Sequence, residues 1–206
     1  VVLFAALSYA VTSSTRGGGN DASTEKLDTN AGVILNYATL MEQVVNRLLL
    51  TGGCNETELN FTNSQDWSGS NNTLAPADKH CNIFDPAGGG MGMQMLPNGT
   101  GTGGFLVSSI NKVLGIGLDT NAELTFVVYN ISKPLCLKFN EKLSVPLTSG
   151  DAPNDSTGFS GPWPLGAYTP GTRVIADNDT NLVGKRTACF KLGTGDYVFY
   201  HVLYAR

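Results

Sequence analysis

Hydrophobic residues recur at helical spacing in the first quarter of the chain, between Ala22 and Thr51. Their separations run 4, 3, 4, 3, 4, 3 residues, the period that puts side chains on one face of an α-helix. We therefore predict a helix of about 45 Å over 22–51 that packs on a sheet and ends at a pair of glycines. The residues expected to hold it on the sheet are Leu27, Ile34, Met41, Val45 and Leu48, with Ala31 and Ala38 in the same stripe.

The chain opens on eleven residues, VVLFAALSYAV, that include no charged side chain. As a helix they would reach about 16 Å, roughly half of a bilayer core. The run begins without Met and is followed by no A-x-A-like cleavage site, so we expect a processed or incomplete start and a retained, membrane-derived helix. A buried core helix or strand is the alternative. The residues predicted to mediate assembly are Val1, Val2, Leu3, Phe4, Leu7 and Val11.

Three consecutive glycines follow this segment, at Gly17, Gly18 and Gly19. Each glycine costs about 1 kcal/mol in a helix interior, so we predict a hinge or break here. Asp21 or Ser23 is then expected to cap the helix that follows. The chain accordingly divides into 1–21, an apolar filament-core helix with its glycine break, and 22–206, a globular head that includes the amphipathic helix.

Patterns typical of strands occupy the second half of the chain. The best central strand is ELTFVVYN at 123–130, because β-branched and aromatic residues dominate it. RTACFKLG and DYVFYHVLYAR, joined at 193–196, predict a terminal hairpin. MGMQM at 91–95 and GFLVSS at 104–109 predict shorter strands.

A short helix is predicted from Ser132 to Leu143, with Ser132 as its cap and Pro134 in its first turn. Five of the nine prolines fall between 144 and 179, so we expect an irregular surface excursion there. Together these elements predict an α+β fold. Its long N-terminal helix, with a Gly-rich break, packs on an antiparallel β-sheet head with long loops.

The charge of the chain argues against a polyanionic partner. The formal net charge is −4, the isoelectric point is about 5.1, and no run of Lys or Arg occurs, so we predict no nucleic-acid binding. Charged residues make up 15% of the chain, against about 25% in ordinary soluble domains. This composition favours an exported protein that packs against copies of itself, because unpaired charges are costly to bury.

Four cysteines lie far apart, at Cys54, Cys81, Cys136 and Cys189. No C-x-x-C pair occurs, which argues against tetrahedral zinc and a thioredoxin-like dithiol. Two disulfides in three possible connectivities remain, and we favour Cys54 with Cys81 and Cys136 with Cys189 because each closes a loop-rich stretch. Each would contribute about 3 to 4 kcal/mol; buried free thiols are the alternative.

The retained apolar helix, the break, the amphipathic continuation and the disulfide-bearing β head together resemble the type IV pilin and pseudopilin superfamily. GGCNETELNF, APADKHCNIFDPAGGG and DYVFYHVLYAR are also similar to stretches of uncharacterised pilin-like proteins of alphaproteobacteria. The resemblance implies a helical homopolymer with N-terminal helices at its centre, heads outside, and a C-terminal disulfide that fastens the last strands.

One feature of the family pattern is absent from this chain. The usual F-T-L-x-E start does not occur, and no Glu lies within the first 24 residues. In the family such a Glu pairs with the N-terminus of a neighbour, so we expect either that the true start is missing from this sequence or that the register of assembly differs here.

Catalytic and cofactor motifs are missing from the sequence. The only histidines, His80 and His201, belong to no spaced ligand set, and neither G-x-S-x-G nor a phosphate-binding G-x-x-x-x-G-K occurs. Asp177, Asp179 and Asn181 offer oxygen ligands for Ca²⁺, but a polar turn is the favoured interpretation because they complete no EF-hand. We therefore predict a non-enzymatic protein without a metal or cofactor.

Seven Asn-x-Ser/Thr sequons are the remaining motif, and they matter only where a modifying enzyme is present. They begin at Asn55, Asn60, Asn71, Asn98, Asn130, Asn154 and Asn178.

The leading hypothesis is a structural subunit of an extracellular bacterial filament, anchored in the inner membrane before assembly and acting in adhesion, surface attachment or motility. A pseudopilin or minor pilin of a secretion system would use the same helix in shorter assemblies. A membrane-tethered glycan-binding module is the alternative from another class, with Trp67, Trp163 and the late tyrosines as a sugar-stacking face.

Overall fold

The computed structural model describes residues 18–62, 71–97, 104–118, 121–156 and 174–206. Several predicted features lie outside these ranges and are not described. They are the assembly residues from Val1 to Val11, the first hinge glycine Gly17, the sequon at Asn98, and both tryptophans, Trp67 and Trp163.

Helix α1 runs from Gly18 to Leu50 over 33 residues, about 50 Å. This range takes in Gly18 and Gly19, four residues before the predicted start, and Asp21 and Ser23 lie inside it instead of capping it.

The predicted glycine stop at the other end of α1 is confirmed. The helix ends at Leu50, and Gly53 adopts a left-handed φ of +74°, a conformation that glycine takes without steric cost. The N–H of Cys54 then donates to the carbonyl of Leu48 at 3.2 Å. This turn brings the chain back toward the head directly after the helix.

The described strands form a curled, mixed five-stranded sheet in the order β3-β1-β2-β5-β4. Its neighbours are antiparallel except β1 and β3, which are parallel, so the prediction of a purely antiparallel sheet is wrong at this edge. A parallel pair is possible because a long connection, including α2 and the proline-rich stretch, separates the two strands. The strands are β1 (Leu106–Val113), β2 (Glu123–Ile131), β3 (Val174–Ile175), β4 (Thr187–Lys191) and β5 (Tyr197–Tyr204).

Most of the smaller predicted elements are confirmed. Strand β2 lies at the centre of the sheet, β4 and β5 form the terminal hairpin, and β1 follows the predicted start near 104. Helix α2 spans Lys133–Leu143, although the Ser132 side chain makes no capping hydrogen bond. A single 3₁₀ turn, Thr180–Leu182, precedes β4.

The predicted strand at 91–95 is wrong, because that segment has no strand structure. Its first N–H, on Met91, donates to the carbonyl of Ile83, and the carbonyl of Gly92 accepts from the Tyr37 hydroxyl at 3.4 Å. The Tyr37 oxygen in turn accepts from the N–H of Gln94 at 3.3 Å. The segment is therefore tied to α1 by a side chain, and alternation of apolar residues alone did not indicate this.

Apolar residues fill both faces of the sheet. On one face, Phe126 and Phe199 join the core beneath α1 and α2. On the other face, Val127, Val198 and Tyr200 belong to a second core. Strands buried on both faces have nearly continuous apolar sequences, which explains why YVFYHVLY does not alternate between apolar and polar residues.

The outer edge of β4 is covered by hydrogen bonds from neighbouring segments. The side chain of Asn140 on α2 donates to the carbonyl of Cys189 at 2.8 Å and accepts from its N–H at 2.9 Å. The N–H of Lys191 donates to the carbonyl of Pro153, and its carbonyl accepts from the N–H of Asp155. An edge occupied in this way is a poor template for pairing with another chain.

Candidate functional site

Helix α1 is held by the head along only part of its length. The side chains at 23–26 are exposed, Leu27 is partly buried against the main core, and Ala31 is the first fully buried residue of the stripe. An ion pair between Asp28 and Lys142 of α2, at 2.9 Å, lies near the point where contact with the head begins. The exposed residues 23–26 therefore precede the first buried part of the stripe by about 6 Å of helix.

The predicted packing residues of α1 lie on the face that meets the head. Ile34, Met41, Val45 and Leu48 are buried in the main core, while Leu27 packs at its margin. The opposite face carries two exposed leucines, Leu40 at 45% and Leu50 at 83% exposure.

A polar cluster fastens the middle of α1 to the terminal hairpin. Glu42 accepts from Arg186 at 2.8 Å and lies 3.0 Å from Nε2 of His201. The other ring nitrogen of His201, Nδ1, lies 2.6 Å from the hydroxyl of Thr187. Since a carboxylate only accepts, a neutral imidazole donates from Nε2 to Glu42 and accepts at Nδ1 from Thr187.

Burial lowers the pKa of His201 below its ordinary value, and the positive charge of Arg186 lowers it further. The charge and hydrogen bond of Glu42 oppose this shift without reversing it. Neutral His201 is thus the form favoured by the folded chain near pH 7. The cluster joins a helix to two strands, and its chemistry is that of a structural hydrogen-bond chain.

Both favoured disulfides are present, which confirms the predicted connectivity. The first disulfide joins Cys54 to Cys81 across 27 residues, and the second joins Cys136 of α2 to Cys189 of β4 across 53 residues. The first closes the loop region after α1, and the second fixes α2 beside the hairpin.

His80 lies next to the first disulfide. One of its ring nitrogens and the sulfur atoms of Cys54 and Cys81 all lie within 4.8 Å of one another. The Asp78 carboxylate lies 2.5 Å from Nδ1 of His80. The hydrogen bond from His80 lowers the pKa of Asp78, so that this carboxyl group remains ionised.

A cleft of about 680 Å³ lies between the loop region of the first disulfide and the 91–93 segment. Two of its amide side chains are used internally: Asn60 accepts from Thr62, and Asn82 donates to the carbonyl of Thr62 at 3.0 Å. Its polar and apolar groups together suit a neutral polar ligand. The lining includes Asn60, Asn71, Lys79, Phe84, Asp85 and Met93.

The Asp177–Asn181 segment forms a polar turn. The carboxylate of Asp179 accepts from the Thr148 hydroxyl at 2.6 Å and from the N–H groups of Asn154 and Asn181. Burial alone would raise the pKa of Asp179, but these hydrogen bonds outweigh burial and lower it. The carboxylate oxygens thus hold the turn before β4.

Of the sequon asparagines within the described ranges, only Asn60 is half-buried; the others are exposed. The exposed ones are Asn55, Asn71, Asn130, Asn154 and Asn178.

Sequence reasoning missed both polar clusters. His201 and Glu42 are 159 residues apart, and no local pattern links them. For His80 the sequence did carry a signal, since it directly precedes Cys81 and follows Asp78 by two residues. The favoured pairing of Cys81 with Cys54 would already have brought a second sulfur to the histidine, so this cluster could have been found from the sequence.

Among the helices within the described ranges, none has the length and apolar character that crossing a membrane requires. Comparison with protein-family models, curated proteins and solved structures finds no match to this chain.

Proposed function

We propose that this chain is the structural subunit of an extracellular bacterial filament, similar to a type IV pilus, and that it assembles through its N-terminal helix. The observation that carries the proposal is the course of α1, which runs N-terminally from its first buried residue, Ala31, through the exposed residues 23–26 and on to Gly18. The role of such a filament would be adhesion, surface attachment or motility.

The sequence before α1 supplies the reason for assembly. Val1 to Val11 is apolar and carries no charge, and exposing it to water costs about 25 cal/mol per Å² of apolar area. Several copies side by side would cover one another's segments. Contacts repeated by a screw operation, without closing into a ring, give an open filament.

The covered edge of β4 supports the same route. Asn140, Pro153 and Asp155 already occupy the outward backbone groups of Cys189 and Lys191. Strand addition at this edge would first have to break those bonds. The head is therefore better suited to a polymer held together by N-terminal helices than to one held together by strand pairing at the β4 edge.

Deletion of Val1 to Val11 tests the proposal. The full chain should give sedimentable filaments under negative-stain microscopy, and the shortened chain should sediment as a monomer. A matched full-length variant, Leu7→Lys, places one charge in the segment and should also block assembly while leaving the thermal unfolding of the head unchanged. Filaments formed by the shortened chain would refute the proposal.

The cleft favours a second candidate, a glycan-binding module tethered by its helix. Its lining offers a sugar both polar partners and an aromatic surface. These are the exposed amide of Asn71, the Lys79–Asp85 ion pair at 3.4 Å and the half-buried ring of Phe84. A glycan array probed with the full chain would detect it. Specific binding that Phe84→Ala abolishes supports this function, and no bound glycan above background rejects it.

A further inference from the structure

The first disulfide lies beside His80. If this disulfide were reduced, Cys54, Cys81 and His80 would be three side chains of types that bind metal ions. Thiolate sulfur and imidazole nitrogen are the preferred ligands of Zn²⁺. In the oxidised chain the two sulfurs are bonded to each other and have no thiolate to offer. Reduction of the Cys54–Cys81 bond would leave two thiols and an imidazole whose ligand atoms already lie within 4.8 Å of one another.

The backbone around these residues is held by bonds other than the disulfide. The N–H of Cys54 donates to the carbonyl of Leu48, and the carbonyl of Cys81 accepts from the N–H of Asn60 at 3.0 Å. The two Cα atoms are 5.7 Å apart. Thiolates bound tetrahedrally to zinc at about 2.3 Å lie about 3.8 Å from each other, a separation that rotation of the two side chains can reach.

Asp78 supplies an independent observation that points to a metal. It accepts from Nδ1 of His80 at 2.5 Å, and a neutral imidazole that donates from Nδ1 has its lone pair on Nε2. A carboxylate that orients a histidine through its second nitrogen is the usual support of a zinc-binding imidazole. The His80 side chain is 37% exposed, so that an ion and a water ligand have access from solvent.

We propose that Cys54, Cys81 and His80 bind Zn²⁺ when the chain is reduced. Zinc binding and the first disulfide then exclude each other, because both use the sulfur atoms of Cys54 and Cys81. A thiol or phosphine reductant supplies two electrons, and the disulfide takes up two protons to give two thiols. Zn²⁺ then displaces both thiol protons and completes its coordination with His80 and water. A disulfide-bearing oxidant reverses the change, accepts the two electrons and releases the ion.

Before the chain is oxidised, bound zinc would hold together the loop region that the first disulfide closes afterwards. Zinc would keep Cys54 beside Cys81 and away from Cys136 and Cys189. Oxidation would then form the first disulfide without a search among the three possible pairings.

Zinc titration of the phosphine-reduced full chain, without oxygen, tests the proposal. One Zn²⁺ should bind per chain, and none should bind the oxidised chain. A variant that retains only the first pair, Cys136→Ser with Cys189→Ser, should still bind one ion. The matched variant that retains only the second pair, Cys54→Ser with Cys81→Ser, should bind at least tenfold more weakly.

His80→Gln and Asp78→Asn complete the test in chains with all four cysteines, whose folding is checked in the oxidised form. Asp78→Asn should weaken zinc binding by about 10- to 100-fold, the usual effect of losing an orienting partner, and His80→Gln, which removes a ligand, should weaken it at least as much. Unchanged affinity in His80→Gln would overturn the proposal. Equal binding by the variant with only the second pair would also overturn it, because zinc would then be held by cysteines of an unfolded chain.

Discussion

Replacement of Asn140 by leucine should destabilise the head more than any exposed substitution. Both polar atoms of this fully buried side chain bond the backbone of Cys189, at 2.8 and 2.9 Å. Leucine has the same branching at Cγ but neither donor nor acceptor, so the N–H and the carbonyl of Cys189 lose their partners in a buried environment that excludes water. Each unsatisfied buried group costs about 1–3 kcal/mol, and the two together predict a loss of about 2–6 kcal/mol.

Urea unfolding of the oxidised protein measures this loss directly. Asn36→Leu makes the same substitution at an exposed position of α1 and should change the free energy of unfolding by less than about 0.5 kcal/mol. Hydrogen exchange at the Cys189 amide gives a local measurement, and exchange should accelerate in Asn140→Leu. The reasoning fails if that variant unfolds like the control and the amide stays protected.

Three further predictions concern titration, cross-linking and packing. Because burial lowers the pKa of His201 from 6.5, the unfolded chain takes up its proton more readily. The stability supplied by neutral His201 should be complete above pH 6.5 and lost as pH falls through the folded pKa, a loss that urea titrations of His201→Gln should lack. Removing the second disulfide should cost about 4.2 kcal/mol and removing the first about 3.6 kcal/mol, measured by thermal unfolding of serine variants. Met41→Ala should cost about 2–5 kcal/mol and Leu50→Ala nearly nothing, a contrast that equal denaturation midpoints would contradict.

Local pattern was enough to predict the elements whose signals are local. The stripe from Leu27 to Leu48 identified α1, and β-branched and aromatic density identified β2 and the hairpin. The predicted start at Ala22 was wrong because the helix also includes Gly18 and Gly19, so a penalty of about 1 kcal/mol for each glycine did not end it there. The strand at 91–95 was wrong because its partner is a tyrosine on a distant helix.

Long-range contacts account for what the sequence did not predict. Pairing of β3 with β1, Glu42 with His201, and Asn140 with Cys189 joins residues more than 45 positions apart. Each partner alone has an ordinary interpretation as a surface charge, a strand residue or a helix amide. Only the curl of the sheet and the placement of α1 and α2 bring them together.

Helical reconstruction of filaments assembled from the full chain tests the central claim most directly. We predict that density for Val1 to Val11 lies at the filament axis, continues into α1, and leaves the sheet and both disulfides on the outside. Filaments held together through the heads, with the N-terminal segment facing solvent, would contradict the account. So would a full chain that remains monomeric under every assembly condition.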